Sequence, residues 1–330
     1  MRKLFIFFSF IIILFVVSHS ALYSWGFFAH KKINRMAVFT LPPEMIGFYK
    51  KHIEFISEHA VDPDKRRYAV NGEAERHFID IDNYSKNGEN PFETIPKKWK
   101  DAVAKFTEDT LKEHGIVPWH IDIMVKRLTE AFRQEKLAEI LKISADLGHY
   151  TGDAHVPLHT TKNYNGQLTN QKGIHGFWES RIPELKADSY DYFVGRARYI
   201  EEPLEKAWTT VKTSFSAKDS VLLFEAELNA VFPSDKKYSY ENRGTSQVKV
   251  YSVEYSEAYD KMLNGMVERQ LREAIITVGS LWYTAWVNAG QPDLSRLENK
   301  EVAEEMKKQS AEEEKMWKMR KAKDHKGHED

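Results

Sequence analysis

Apolar residues recur three or four positions apart along most of this chain, which is the spacing of one face of an α-helix. Trp99, Val103 and Phe106 form one such stripe. No sustained alternation of apolar and polar residues, internal repeat or glycine-rich phosphate loop accompanies these stripes. The pattern predicts an all-α fold, a single large helical bundle with long loops. The segments with helical spacing are 99–111, 121–132, 137–143 with the helix it leads into, 190–213, 218–231 and 259–288.

Two segments lack this spacing and are predicted to be irregular. Residues 83–96 contain Gly88 and two prolines, and residues 160–173 are rich in Asn, Gly, Gln and Thr. Gly290 and Pro292 are expected to end the last long helix.

Length and composition divide the chain into three parts. Arg2 and Lys3 precede an apolar run over residues 4–17, which is shorter than the ~20 residues of a membrane-spanning helix. Residues 1–24 are therefore predicted to be a cleaved signal peptide, and the protein to be secreted or periplasmic. Residues 25–295 have the length of one large domain. Residues 296–330 are rich in Lys and Glu and are expected to form a solvated, charged tail.

Charge and cysteine content limit the classes of function. The chain has 48 basic and 49 acidic residues and a net charge of −1, which changes to −3 when residues 1–24 are removed. This balance offers no large electrostatic footprint for nucleic acid. The chain contains no Cys, so an exported form has no disulfides and must be stabilised by packing and metal.

The segment HYTGDAHVPLH, from His149 to His159, is the most informative part of the sequence. His149 and Asp153 are four residues apart, so a helix places them on one face, one turn apart. Pro157 must end that helix and brings His159 close behind it. His155 lies between these candidates and is expected to pack or to support a ligand.

A second pair with the same spacing, His175 and Glu179, follows within twenty residues. One such pair is common on helix surfaces as a solvated hydrogen bond. Two pairs beside His159 favour a metal site, because imidazole and carboxylate groups are ligands of zinc.

Two regions nearer the N-terminus offer further ligands. If cleavage occurs before Trp25, the free amine and carbonyl oxygen of Trp25 form a five-membered chelate that His30 can complete; the alternative is a packed Trp beside a surface His. Farther on, Asp62 and Asp64 precede His77. Asp-Pro-Asp taken alone is more often a turn than a metal site.

These motifs, in this order from Trp25 to about Tyr259, resemble the superfamily of zinc-dependent phospholipase C and the single-strand-specific nucleases of the P-one/S-one type. The shared pattern is an N-terminal Trp, a His, an Asp, a His-Phe pair, His-x3-Asp-x5-His and His-x3-Asp/Glu. The family fold is all-α and holds three zinc ions in a cleft.

The resemblance implies three metal positions. The first uses Asp62 or Asp64 with His77, His149 and Asp153. The second uses His159, His175 and Glu179. The third uses Trp25, His30 and Asp153, whose carboxylate then bridges two ions.

Some positions depart from the family pattern. The interval between Trp25 and His30 resembles the nucleases, whereas Glu179 in place of Asp resembles the phospholipases. Asp62 keeps the nuclease-like distance to His77, and Asp64 stands three residues before Arg67, where the nucleases also carry an Arg. Both acids therefore stay open as ligand and catalytic candidates, with Asp64 slightly preferred.

The predicted activity is phosphodiester hydrolysis by a hydroxide that two zinc ions share, with Asp62 or Asp64 orienting the water. Arg67 or Arg66 is expected to pair with a phosphate oxygen. The substrate is a phospholipid or a single-stranded nucleic acid, and no protein partner is inferred.

Two activities of the family and one non-enzymatic role compete. The near-neutral charge favours phospholipase C with peripheral membrane contact. The alternative is a single-strand-specific nuclease and 3'-nucleotidase. The bases of a nucleic acid substrate would then stack on aromatic side chains near the ligands. The candidates for stacking are Tyr150, Tyr164, Phe177 and Trp178. A third hypothesis is an envelope protein that is stabilised by structural zinc and is not an enzyme.

Overall fold

The computed structural model describes residues 27–297, apart from 68–69, 86–87 and 244–245, together with residues 308, 311, 312 and 315. The predicted signal peptide 1–24, Trp25 and nearly all of the predicted tail 296–330 lie outside the described residues. Within the described part of the chain, no helix has both the length and the apolar character needed to cross a bilayer.

The described residues confirm the all-α fold. The helices are α1 Phe27–Ala37, α2 Pro43–Lys51, α3 Ile53–Glu58, α4 Asp62–Arg66, α5 Pro91–Thr94, α6 Trp99–Phe106, α7 Glu108–Glu113, α8 Val117–Arg133, α9 Leu137–Ala154, α10 Ile174–Gly176, α11 Ile182–Lys186, α12 Pro203–Val231, α13 Val253–Leu263 and α14 Met266–Asn288. A π-helical turn, Phe177–Arg181, joins α10 to α11.

Helix α9 lies at the centre of the bundle, in contact with α1, α8, α12 and α14. Every residue from Ser144 to Ala154 is buried. Two glycines let α1 approach closely: a Cβ at Gly148 would lie 1.9 Å from Oδ1 of Asn34, and one at Gly152 would lie 3.0 Å from Nδ1 of His30. Asn34 donates from Nδ2 to the carbonyl of Ala145 at 3.0 Å, which fixes α1 against α9.

The prediction of a helix over 190–213 was wrong in its first half. Residues 191–200 have no regular secondary structure, and α12 begins only at Pro203. Side chains of α14 accept the amide hydrogens of this segment: Ser280 from Arg198 at 3.0 Å and Thr284 from Ile200 at 2.8 Å. These tertiary bonds replace the hydrogen bonds of a helix. Beyond Pro203, α12 continues through the predicted helix 218–231 without a break.

Two other predicted helices are interrupted by residues with left-handed backbone. Thr107, at φ 69°, separates α6 from α7. Asn264 and Gly265, at φ 49° and 72°, separate α13 from α14 within the predicted run 259–288. The segment 160–173 is irregular, as predicted, whereas 83–96 contains the short helix α5.

One β-hairpin, which the sequence pattern did not predict, accompanies the helices. Strands β1 (Tyr238–Arg243) and β2 (Ser246–Tyr251) pair antiparallel, with Tyr240 opposite Lys249. Each strand has six residues, so the alternation is too short to stand out from the surrounding helical spacing.

Candidate metal centre

The second half of α9 places two candidate ligands in the buried centre of the molecule. His149 and Asp153 are 0% and 2% exposed, respectively. Nδ1 of His149 donates to the carbonyl of Ala60 at 2.9 Å, which leaves Nε2 to face the other candidates. A ligating imidazole is usually oriented by such a bond from its second nitrogen.

Imidazoles surround the carboxylate of Asp153 on both sides. Its Oδ2 lies 3.0 Å from Nδ1 of His77 and 3.2 Å from Nε2 of His149. Its Oδ1 lies 3.3 Å from Nε2 of His30 and 4.0 Å from Nε2 of His159. One carboxylate therefore faces imidazoles from all the predicted clusters, which is the position expected of a bridging ligand.

His77, His149 and Asp153 form the first of three groups whose ligand atoms lie within 4.8 Å of one another. Nε2 of His149 is 3.0 Å from Nδ1 of His77. Two ring nitrogens that approach this closely share either a proton or a cation.

The structure separates the two early acids that spacing left open. Oδ1 of Asp64 lies 3.5 Å from Nε2 of His149 and 3.8 Å from Nδ1 of His77. Asp62 instead accepts from His59 at 2.5 Å and from Lys65 at 3.0 Å. Asp64 therefore lies beside the imidazoles of the centre, whereas Asp62 forms a largely buried ion pair with His59 and Lys65.

His159, His175 and Glu179 form a second group within the same 4.8 Å limit. Oε2 of Glu179 lies 3.0 Å from Nε2 of His175 and 3.5 Å from Nε2 of His159. Nδ1 of His159 donates to the backbone carbonyl of His77 at 2.8 Å. This bond orients the His159 ring and ties the second group to the first.

His30 joins the centre from α1. Its ring stacks on that of His149 at 4.0 Å between centroids. His30 also forms a third group with Asp64 and His149, whereas the resemblance assigned it to Trp25 and Asp153. Trp25 lies outside the described residues, so its predicted chelate stays a prediction.

Burial and neighbouring charge act on these groups in opposite directions. Burial, followed by the charge of His149, lowers the pKa of His30. Burial opposes a charge on His149 as well, yet the carboxylates of Asp153 and Asp64 raise the pKa of His149 to about 9. Burial likewise disfavours the charge on Asp153, but His149 and His159 hold the pKa of Asp153 well below its usual range.

The donor set fits a divalent cation such as zinc. It consists of imidazole nitrogens and carboxylate oxygens, without a thiolate, and this mixture is common in hydrolytic zinc sites. Oδ2 of Asp64 is buried, and no hydrogen bond from the described residues satisfies it. A buried charged oxygen without a donor is costly, and a cation would satisfy it.

A buried acid behind this centre, Glu73, was not among the predicted site residues. Its side chain is 1% exposed, and Oε1 lies 3.8 Å from Nε2 of His77. Tyr150 donates its hydroxyl to Glu73, and Arg76 pairs with Glu73 at 2.7 Å. Glu73 therefore faces the side of the His77 ring opposite Asp153. Only the spacing of four residues between Glu73 and His77 could have suggested it.

The two arginines after Asp64 have different surroundings. Arg66 is buried and donates to Asp146 at 2.8 Å, so its guanidinium supports the interior. Arg67 is half-buried and stays the candidate for binding a phosphate oxygen.

Three of the four aromatic residues proposed for base stacking are part of the core. Tyr150, Phe177 and Trp178 are at most 1% exposed. Only Tyr164 is half-buried, with its ring centroid 6.3 Å from that of His175. His155 is also buried, and its Nδ1 donates to the carbonyl of Thr151 at 2.7 Å, as expected for a packing residue.

Asp80 is a titratable group that the sequence did not single out as functional. Burial raises the pKa of Asp80 to about 7, although the charges of His114, Lys162 and His159 oppose that rise. A pKa near neutrality suits a group that gives or takes a proton in catalysis.

No family model matches this chain, and none of the curated proteins matches it.

Proposed function

We propose that this chain is an exported, zinc-dependent phosphodiester hydrolase. The observation that carries the proposal is the arrangement around Asp153, where imidazoles from α1, α9 and two loops face one buried carboxylate. Structural zinc sites are usually closed, with four ligands. Three adjoining groups, two of which share His149, fit a multinuclear catalytic centre better.

The residues present would hold zinc in three groups. His77, His149, Asp153 and Asp64 form one, His159, His175 and Glu179 form another, and His30 faces both Asp64 and Asp153. Bound zinc supplies a water of lowered pKa and offsets the charge that develops on the phosphate oxygens.

The chain's own residues then position the reactants. The carboxylate of Asp64 would accept a hydrogen bond from the attacking water. Arg67 would pair with a non-bridging phosphate oxygen. As the phosphorus–oxygen ester bond breaks, the leaving oxygen would take up the proton that the attacking water loses.

Phospholipase C-type cleavage is the preferred activity. The chain's net charge of −1 gives nucleic acid little attraction, and most of the proposed base-stacking rings are buried. The nuclease alternative is favoured by Tyr164, the one half-buried aromatic residue beside His175.

The test uses the exported protein loaded with zinc, with its N-terminus sequenced and its metal content measured. Release of diacylglycerol from phosphatidylcholine, abolished by a chelator and restored by zinc, is the expected result. Hydrolysis of single-stranded DNA alone would assign the nuclease activity. One tightly bound ion with no hydrolysis of any diester would indicate a structural zinc protein and overturn the proposal.

A further inference from the structure

An aromatic and basic surface lies beside α1, the helix that carries His30. The segment 191–200, which has no regular secondary structure, runs beside α1. Nζ of Lys32 lies 4.6 Å from the centroid of the Tyr192 ring, and the amide of Ala197 donates to the carbonyl of Thr40 at 2.8 Å. We call this surface the aromatic-basic face. Its exposed side chains are Phe28, Phe39, Phe193, Arg196, Arg198 and Tyr199.

Phe193 is the most exposed large apolar side chain of the described residues, at 86%. Its backbone is nevertheless held in place. Its amide donates to Oδ1 of Asp191 at 2.8 Å, and its carbonyl accepts from Arg272 at 3.2 Å. Asp191 in turn donates its amide to Glu268 of α14 at 2.9 Å. The ring is therefore presented to solvent by an anchored segment.

The other aromatic members extend this apolar character along α1. Phe28 in the first turn is 42% exposed, and Phe39, just after α1, is 50% exposed. Tyr199 is 48% exposed. Because Phe28 is two residues before His30, one end of the face lies next to the helical turn that contributes to the metal centre.

Two cations lie among these rings without an acidic partner. Arg196 and Arg198 are exposed, and neither guanidinium forms an ion pair with any described residue. On α1, by contrast, Arg35 pairs with Glu54 at 2.7 Å. The segment 191–200 therefore combines a protruding hydrocarbon ring with two guanidinium groups that are available to phosphate.

We propose that the aromatic-basic face binds the surface of a phospholipid bilayer. Phe193 enters the boundary between head groups and acyl chains, where aromatic rings are favoured. Arg196 and Arg198 contact lipid phosphates and attract anionic lipids. This inference rests on the proposed function, since it assigns the surface from which the enzyme reaches a phospholipid substrate.

Single-stranded nucleic acid also combines phosphate with aromatic stacking, but the observations favour lipid. Phe28, Phe39 and Phe193 have no hydrogen-bonding group with which to contact a base. A base-stacking platform presents one face of a supported ring, whereas a ring that is 86% exposed is unsupported on both faces. A bilayer buries such a ring completely.

The experiment measures co-sedimentation of the exported protein with vesicles of phosphatidylcholine, with and without phosphatidylglycerol. The variants are Phe193→Ser and the double variant Arg196→Gln/Arg198→Gln. Leu223→Ser is the matched control, because Leu223 is likewise an exposed apolar residue, at 53%. It lies on α12, about 30 Å along the helix axis from Pro203 at the start of that helix.

Phe193→Ser is expected to lower the partition coefficient at least about tenfold for both kinds of vesicle. The free energy gained when a Phe side chain is buried corresponds to a factor of at least that size. The arginine variant should lose mainly the preference for phosphatidylglycerol. Leu223→Ser should bind like the wild type. Unchanged binding of Phe193→Ser would overturn the inference.

Two further measurements identify other occupants of the face. Binding to oligothymidylate that is lost in the same variants would assign the face to nucleic acid and overturn the inference. A concentration-dependent dimer that Phe193→Ser abolishes would assign it to a second copy of the chain.

Turnover of a water-soluble phosphodiester separates this inference from the proposed function. Wild type and Phe193→Ser should hydrolyse it at equal rates, since Phe193 is outside the metal centre. Vesicle binding that depends on Phe193, with no hydrolysis of any diester, would support this surface and contradict the proposed function. Hydrolysis of the soluble diester without vesicle binding would support the proposed function and contradict the assignment of this surface.

Discussion

Asp62 and Asp64 are the same residue type, but the helix that contains them points their side chains in different directions. Both belong to the short helix α4 and are buried to a similar extent. Residues two apart on a helix point to nearly opposite sides, so only Asp64 can face His149 while Asp62 faces His59 and Lys65. Sequence spacing alone could not decide between them, because it does not fix the rotation of the helix.

The first prediction compares Asp64→Asn with Asp62→Asn. Asp64→Asn should lower diester turnover more than about 100-fold, since losing even an outer-shell partner of a metal ligand costs roughly 10–100-fold. It should also lower zinc affinity in calorimetry. Asp62→Asn loses only a partly exposed ion pair and should keep both properties. Equal losses in the two variants would contradict the assignment of Asp64.

The second prediction concerns the buried imidazole of His120. Burial, followed by the charge of Arg76, lowers the pKa of His120 to about 3, whereas an unfolded His titrates near 6.5. Between these values the unfolded chain binds a proton that the folded chain excludes. The free energy of unfolding should therefore fall as the pH drops through this window, by at most about 1.4 kcal/mol per pH unit.

His120→Leu should reduce that slope, as measured by urea unfolding of the metal-free protein between about pH 6.5 and 4.5. A smaller slope should persist in the variant, because burial also lowers the pKa of His155 to about 4. An unchanged slope would show that His120 takes up its proton in the folded state.

At the scale of elements, the close contact of α1 with α9 sets the position of His30. Gly148 and Gly152 lie one turn apart on the α9 face that meets Asn34 and His30. Since His30 stacks on His149, a shift of α1 would move a ligand relative to the rest of the centre. The packing of α1 against α9 therefore sets the arrangement of His30 and His149 in the candidate metal centre.

The third prediction tests this coupling with Gly148→Ala. The new Cβ would meet Oδ1 of Asn34 at 1.9 Å, so the variant should lose about 1–3 kcal/mol of stability, as overpacked cores do. It should also bind zinc more weakly, because α1 carries His30.

Gly176→Ala is the matched control for Gly148→Ala. Gly176 is helical, at φ −61° and ψ −26°, and its new Cβ would meet no atom within 4 Å. This control should gain about 0.4–1 kcal/mol through a less flexible unfolded chain. A neutral Gly148→Ala would show that α1 moves away without consequence.

Local spacing predicted the elements that depend on neighbouring residues. The helices α8 and α9 and the pairs His149–Asp153 and His175–Glu179 follow from periods of three and four residues. The segment 191–200 was mispredicted because its amides bond to Ser280 and Thr284, some eighty residues away. Glu73 was missed for a similar reason, since it lies in the centre through a bond from Tyr150, 77 residues away, rather than through a motif.

At the scale of the whole molecule, the candidate metal centre brings together distant parts of one chain. His30 comes from α1, His77 from a loop, His149 and Asp153 from α9, and His175 and Glu179 from the turn after the long loop 160–173. Any ion held by two of these groups closes a long loop of chain. Since the chain has no Cys, metal ligation is the cross-link available to it.

The fourth prediction follows from this cross-linking. Zinc that binds only the folded state stabilises it by about 4.1 kcal/mol at a free concentration of 1,000 times Kd. At roughly 2 °C per kcal/mol for a domain of this size, a chelator should lower the Tm by roughly 8 °C. Without metal the domain should still fold, because protonated His149, with a pKa of about 9, offsets part of the charge of Asp153 and Asp64.

Differential scanning calorimetry with chelator, and again after zinc is restored, measures this shift. A reducing agent should leave the Tm unchanged in both forms, because no disulfide exists to be broken. Asp153→Asn should show a smaller difference between the two forms, since the carboxylate that faces four imidazoles has lost its charge. If neither the chelator nor added zinc changed the Tm of the wild type, the buried imidazoles and carboxylates would satisfy one another by hydrogen bonding alone. In that case the centre would be a polar core rather than a metal site.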